Sequence, residues 1–173
     1  MPNLVVDRAR AERSVLVEWT SFAPTDCAVV EGCVGAAGRR RLLRFAAAVT
    51  NEGTADLVLG PASERVSSFG CPQRGEFARF TLRGDGGVVE ARKPGGCLSD
   101  DEPREGATYT CSAQGLSAGF SDVYGVNLEC QWLDVTELPS GAYRLEATIN
   151  STRELPESAF DDNVVSFEVV VPP

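Results

Sequence analysis

A chain of 173 residues that is 43% hydrophobic and 24% charged has the composition of an ordinary globular domain and length for one substantial core. Its net charge of −9 provides no basic stripe, which argues against nucleic acid as a partner and suits solubility, a cationic partner or bound calcium. Six cysteines without a CxxC pair, and no histidine, speak against zinc or thiol-redox chemistry and for disulfides made in an oxidising compartment. No apolar run reaches membrane-spanning length, so membrane insertion is not expected. Met1-Pro2-Asn3 reads as a trimmed start, so the lack of a visible signal peptide decides nothing.

In chain order, Asn3 to Asp7 and Ser14 to Trp19 read as short strands. Cys27 to Cys33 reads as a tight step, too polar for a regular element. Arg41 to Thr50, the turn signal Asn51-Glu52-Gly53-Thr54 and Asp56 to Leu59 predict a hairpin, with helix as the rival because of the alanines. Glu76 to Leu82 and Val88 to Arg92 flank the Gly-rich reversal Arg83 to Gly87 and predict a second hairpin. The Arg83-Gly84-Asp85 tripeptide is explained by that turn, and Gly84 to Gly87 lacks the Lys-Ser/Thr of a phosphate loop. Lys93 to Cys111 is loop-like, with an acidic run at Asp100-Asp101-Glu102. Gly115 to Asp134 reads as a loop entering a buried strand. Tyr143 to Ile149 and Val165 to Val171 alternate apolar and polar residues, the period of half-buried strands. No long stretch has a helical stripe, and strands spaced by turns predict an all-β, Ig-like β-sandwich in a single domain, residues 1–173, with long disulfide-stapled loops. Asn150-Ser151-Thr152 fits a glycosylation acceptor.

The run from Gly115, GLSAGFSDVYGVNLECQWLD, resembles the catalytic domain of the copper-dependent lysyl oxidase family. So do Pro2-Asn3-Leu4-Val5, the cysteine pair Cys27 and Cys33, the run Arg40 to Phe45, Asn51-Glu52-Gly53, and Lys93 followed by Cys97-Leu98. Pro156-Glu157-Ser158 completes the series. The resemblance implies that Lys93, the only lysine, and Tyr124 stand where that family cross-links a lysine to an oxidised tyrosine as its quinone cofactor. It also implies disulfides Cys27–Cys71, Cys33–Cys130 and Cys97–Cys111, although the sequence by itself leaves all fifteen pairings of six cysteines open.

The chain departs from the family after Cys71. There the family places three alternating histidines, and this sequence reads Pro72-Gln73-Arg74-Gly75. Imidazoles are the ligands that suit Cu(II) in such a site. The expectation is therefore no copper, no lysine tyrosylquinone and no covalent Lys93–Tyr124 bond. Such a chain would be a non-catalytic binding or structural module, secreted or on the cell surface, whose partner is an extracellular or envelope protein. The rival is protein-lysine 6-oxidase activity retained by an atypical site. The resemblance further suggests a calcium ion held by Asn3, the Leu4 carbonyl, Glu157, Asp162 and Asn163. Ala159 stands in place of one family carboxylate, and a solvated polar loop is the alternative.

Overall fold

The structure, a computed structural model, describes residues 1–61, 65–66, 72–73 and 75–173. Among them the fold is all-β, apart from two short helices. The strands are β1 (Leu4–Val6), β2 (Leu16–Phe22), β3 (Gly38–Arg44), β4 (Ala47–Asn51), β5 (Leu57–Gly60), β6 (Arg65–Val66) and β7 (Pro72–Gln73). They continue as β8 (Glu76–Gly84), β9 (Gly87–Pro94), β10 (Gln114–Leu116), β11 (Ser121–Tyr124), β12 (Trp132–Asp134), β13 (Gly141–Ile149) and β14 (Val164–Val171).

The largest sheet has the order β14-β13-β8-β9, and all its pairings are antiparallel. The two alternating strands read from sequence are its centre and edge. Tyr143, Leu145, Ala147 and Ile149 face the core with Phe80, Leu82, Phe167, Val169 and Val171. Against this face pack the sheets β1-β4-β11 and β12-β3-β2, whose Leu43, Val49 and Leu133 enter the same cluster together with Phe45 from the β3–β4 link. The Phe45 and Phe80 rings meet edge to face, with centroids 4.8 Å apart. Each such fully buried side chain stabilises the fold by roughly 1.5–3 kcal/mol.

The β8–β9 hairpin forms as expected, with Gly84 opposite Gly87. Glycine is needed at its tip. A Cβ on Gly84 would lie 2.7 Å from the Tyr143 ring, and one on Gly86 would collide with the Tyr143 hydroxyl. The expected hairpin between the strand ending at Thr50 and Asp56 to Leu59 does not form. β4 is flanked by β1 on one side and β11 on the other, and β5 pairs with β10 instead. Both edges of β4 are therefore already hydrogen-bonded. Asn51 fixes the separation: its amide donates to the carbonyls of Ala55 and Leu116, and its oxygen accepts from the Asn3 and Gly53 N–H groups.

Two short helices differ from the sequence reading, which expects no helix and no regular element between Cys27 and Cys33. α1 (Arg8–Arg13) starts because the Asp7 carboxylate accepts from the Arg10 N–H and because Ala, Arg and Glu are good helix formers. α2 (Cys27–Val30) occupies the Cys27–Cys33 step, and its Ala28 is fully buried.

Two of the disulfides implied by the resemblance are present, Cys33–Cys130 and Cys97–Cys111. The first spans 97 residues of sequence and ties α2 to the loop before β12. Cys27 is disulfide-bonded as well. Its expected partner Cys71 lies outside the described residues, as does Arg74 in the segment where the family's histidines would fall. No helix among the described residues is long and apolar enough to cross a membrane.

Candidate functional site: an acidic cavity around Lys93 and Tyr124

Lys93 sits near the end of β9, opposite Ala78. One extra residue in β8, Phe77, bulges out of the ladder between the pairs Glu76↔Pro94 and Ala78↔Lys93. The ring of Phe77 packs on Tyr124, with centroids 5.6 Å apart. Tyr124 ends β11 opposite Ala47. Both Lys93 and Tyr124 are buried. The lysine Nζ lies 6.0 Å from the centre of the tyrosine ring and donates to the Glu129 carbonyl at 2.7 Å. Strands distant in sequence thus bring the two expected residues to one place.

They line a cavity of about 520 Å³ together with Glu31, Asp101, Asp122 and the Cys97–Cys111 disulfide. Sequence reading passed over these acids. Asp122 lies in the run that reads as a loop entering a buried strand, and Asp101 in the acidic run of a loop. The available signal was the strand period: residues 122 and 124 of β11 share a face. Asp122 is only 3% exposed, and its Oδ2 has no hydrogen-bond partner. Burial pushes its carboxyl up to about 8; the Tyr124 hydroxyl pulls the other way, and the Asp101 charge adds to the rise. Burial also raises the Tyr124 phenol well above its ordinary value, and Asp122 reinforces the shift.

The loop carrying these acids is firmly anchored. Asp100 accepts from the N–H groups of Thr108, Tyr109 and Ser117 and from the Ser117 hydroxyl. Burial alone would raise its pKa, but these bonds outweigh that effect and hold it below the usual carboxylate value. Asp101 accepts from the Val123 N–H at 2.9 Å, locking the loop onto β11.

Which groups could hold a metal here follows from the donor set. Around Lys93 and Tyr124 it consists of carboxylates, a carbonyl and cystine sulfur, and the sequence has no imidazole. This set does not fit the nitrogen-rich Cu(II) centre that the family resemblance implies. Glu31, Cys33 and Cys130 also cluster, but the two sulfurs are bonded to each other and supply no thiolate.

The five expected calcium positions meet at the start of β1. The Leu4 N–H donates to one oxygen of Glu157 at 2.7 Å, while the amides of Asn150 and Asn163 donate to the other. The Asn3 amide donates to Asp162, and its oxygen accepts from Ser158 and Ala159. Two buried oxygens, Asp162 Oδ1 and Asn163 Oδ1, have no partner. Carboxylate and amide oxygens of this kind suit a hard divalent cation. Leu4 meets the cluster through its N–H, and Glu157 is already saturated by three donors. Asn150, the glycosylation candidate, is 3% exposed, and its amide is committed to Leu155 and Glu157, so the folded chain seals that acceptor.

An all-β, disulfide-bonded domain that gathers a lysine and a tyrosine from separate strands into one cavity is of the lysyl oxidase type. The sequence pattern of that family matches residues 2–171, and the chain belongs to the lysyl oxidase family. It is 32% identical over 191 aligned residues to protein-lysine 6-oxidase of Homo sapiens, covering 98% of this chain and 45% of that protein. It is 30% identical over 184 residues to lysyl oxidase homolog 2 of Rattus norvegicus, covering 95% of this chain and 24% of the relative. The chain thus spans less than half the length of these two relatives.

Proposed function

We propose that this chain is a non-catalytic member of the lysyl oxidase family, acting as a binding or structural module in an oxidising compartment outside the cell. The observation that carries this reading is chemical. The family's amine oxidation uses copper to build and to turn over its quinone, and these 173 residues include no imidazole to hold that ion. The setting of the two cofactor positions agrees. Lys93 is engaged with the Glu129 carbonyl, and the buried Tyr124 packs on Phe77 beside the Asp122 carboxyl. The Cys33–Cys130 and Cys97–Cys111 bonds suit an oxidising environment. The acids Glu31 and Asp101 favour a primary ammonium in the cavity, the kind of group named in the relatives' protein-lysine activity.

The rival, retained amine oxidation, draws on the placement of Lys93 and Tyr124 in one cavity. Purified protein incubated with Cu(II), dialysed and given an amine separates the two. The expected result is no retained copper, no labelling by a carbonyl reagent and no hydrogen peroxide. Labelled, copper-loaded protein that releases peroxide would establish the rival.

A second reading concerns the cluster beside β1. The unpartnered oxygens of Asp162 and Asn163 favour a structural calcium ion held by Asp162, Asn163 and Asn3, with Glu157 joining if it releases its donors. Calcium bound to the folded form alone would raise the melting temperature in proportion to RT ln(1 + [L]/Kd). A rise with millimolar calcium that EDTA reverses is expected on this reading; identical melting curves with and without EDTA would remove it.

A further inference from the structure

β2 is the outer strand of the order β12-β3-β2, and among the described residues nothing pairs with its far edge. It runs seven residues in unbroken register with β3, from Leu16↔Arg44 to Phe22↔Gly38. It has no proline and no bulge, the usual devices that protect an open edge. Its one charged residue, Glu18, is tied to Arg44 at 2.6 Å.

Above this edge lies an uncompensated cationic and aromatic patch. Trp19 is 49% exposed. The guanidinium of Arg39 rests over its ring, 4.7 Å from the centre, and that of Arg41 lies 5.9 Å away. Arg39 belongs to β3, so its charge has crossed one strand and stands over β2 itself. Arg41 spends its nitrogens on the carbonyls of Val135, Leu138 and Pro172, and its Nε is buried without a partner. Neither arginine has a carboxylate partner among the described residues, in a chain whose net charge is −9.

We propose that the open edge of β2, with Trp19 and Arg39 above it, docks an extended acidic segment of a partner protein as a fourth strand. An added strand lies about 4.8 Å from β2. Its backbone completes the ladder, which gives affinity, and alternate side chains fall on the Trp19 face, which gives selectivity. Acidic residues on that face come within reach of the Arg39 guanidinium. A second copy of this chain is disfavoured as occupant: an antiparallel β2–β2 contact centred on Trp19 brings the arginines of both copies together. The surface shares no residue with the Lys93–Tyr124 cavity, so the proposal stands whether or not the chain oxidises amines.

The probe is a capped peptide of alternating aspartate and valine. The sequence has two tryptophans, of which Trp132 is buried, so an emission change on binding reports Trp19. The expected result is saturable binding that weakens with salt and hydrogen-exchange protection of residues 16–22. Arg39→Glu should weaken binding about tenfold or more, and a lysine–valine peptide should fail to bind the unaltered protein. The proposal is overturned by no saturable binding, by equal binding of the lysine peptide, by unchanged affinity in Arg39→Glu, or by protection elsewhere. Concentration-dependent dimerisation that protects residues 16–22 without peptide would make a second copy the occupant and likewise overturn it. The lysine-peptide comparison needs no variant, so it stands even where a substitution disturbs folding.

Discussion

Asp122→Asn is expected to stabilise the protein at neutral and alkaline pH and to leave it unchanged near pH 4. In the folded chain the Asp122 carboxyl is pushed up to about 8 from an ordinary value of 3.8, chiefly by burial. A raised carboxyl pKa means that the folded state holds this proton after the unfolded state has released it. The group's contribution is therefore fully present below pH 4 and is lost progressively as pH rises through the window from 4 to 8, at about 1.4 kcal/mol per pH unit. Asparagine has the same shape and no proton to lose. It can still accept from the Tyr124 hydroxyl, and its NH₂ faces the Asp101 carboxylate. The variant is expected to gain about 2–4 kcal/mol over the parent at pH 7. Asp100 and Asp134 have lowered values and act in the opposite direction, losing stability as the pH falls. Both are common to the two proteins, so the difference between their urea curves at several pH values isolates Asp122. Parallel pH profiles would show that this carboxyl is ordinary.

Glu157→Ala should be among the most damaging single changes in the chain. It strips the acceptor from three donors at once: the Leu4 N–H and the amides of Asn150 and Asn163. All four residues are buried. An unsatisfied buried donor costs about 1–3 kcal/mol, so the total is on the order of 4 kcal/mol. For a domain of this size that corresponds to a fall of about 10 °C in Tm. The loss is long-range, because the Leu4 bond joins β1 to the loop before β14 across 153 residues. Glu157→Gln keeps one acceptor and sets an amide against the remaining donors, so it should fall between the two. A Glu157→Ala variant that melts within 2–3 °C of the parent would mean that water or a rearranged loop replaces the carboxylate.

Much of the framework is legible in the sequence. Tyr143 to Ile149 and Val165 to Val171 alternate so regularly that each strand has only one face to bury, and both occupy the core sheet. Gly84 and Gly86 marked the β8–β9 reversal, and the ring of Tyr143 explains why nothing larger fits. The Gly115 to Asp134 run carried the family, and with it two disulfide pairings. Other features were hidden. α1 depends on one capping carboxylate in a six-residue segment, too short for any period to show. The hairpin expected after Asn51 failed because turn residues specify a reversal and not the strand that follows it. β11, far along the chain, had taken the edge of β4.

The sequence by itself determined the chemistry on offer: one lysine, no imidazole, and cysteines enough to staple long loops. Composition does not depend on conformation, so these facts hold in any fold. Only the tertiary structure decided that Asp101 and Asp122 line one cavity with Lys93 and Tyr124, and that burial pushes the Asp122 carboxyl up to about 8. The reason is that a carboxyl's affinity for its proton is set by the solvent it loses and the charges it meets. Both are fixed by neighbours drawn from loops and strands far away in the chain.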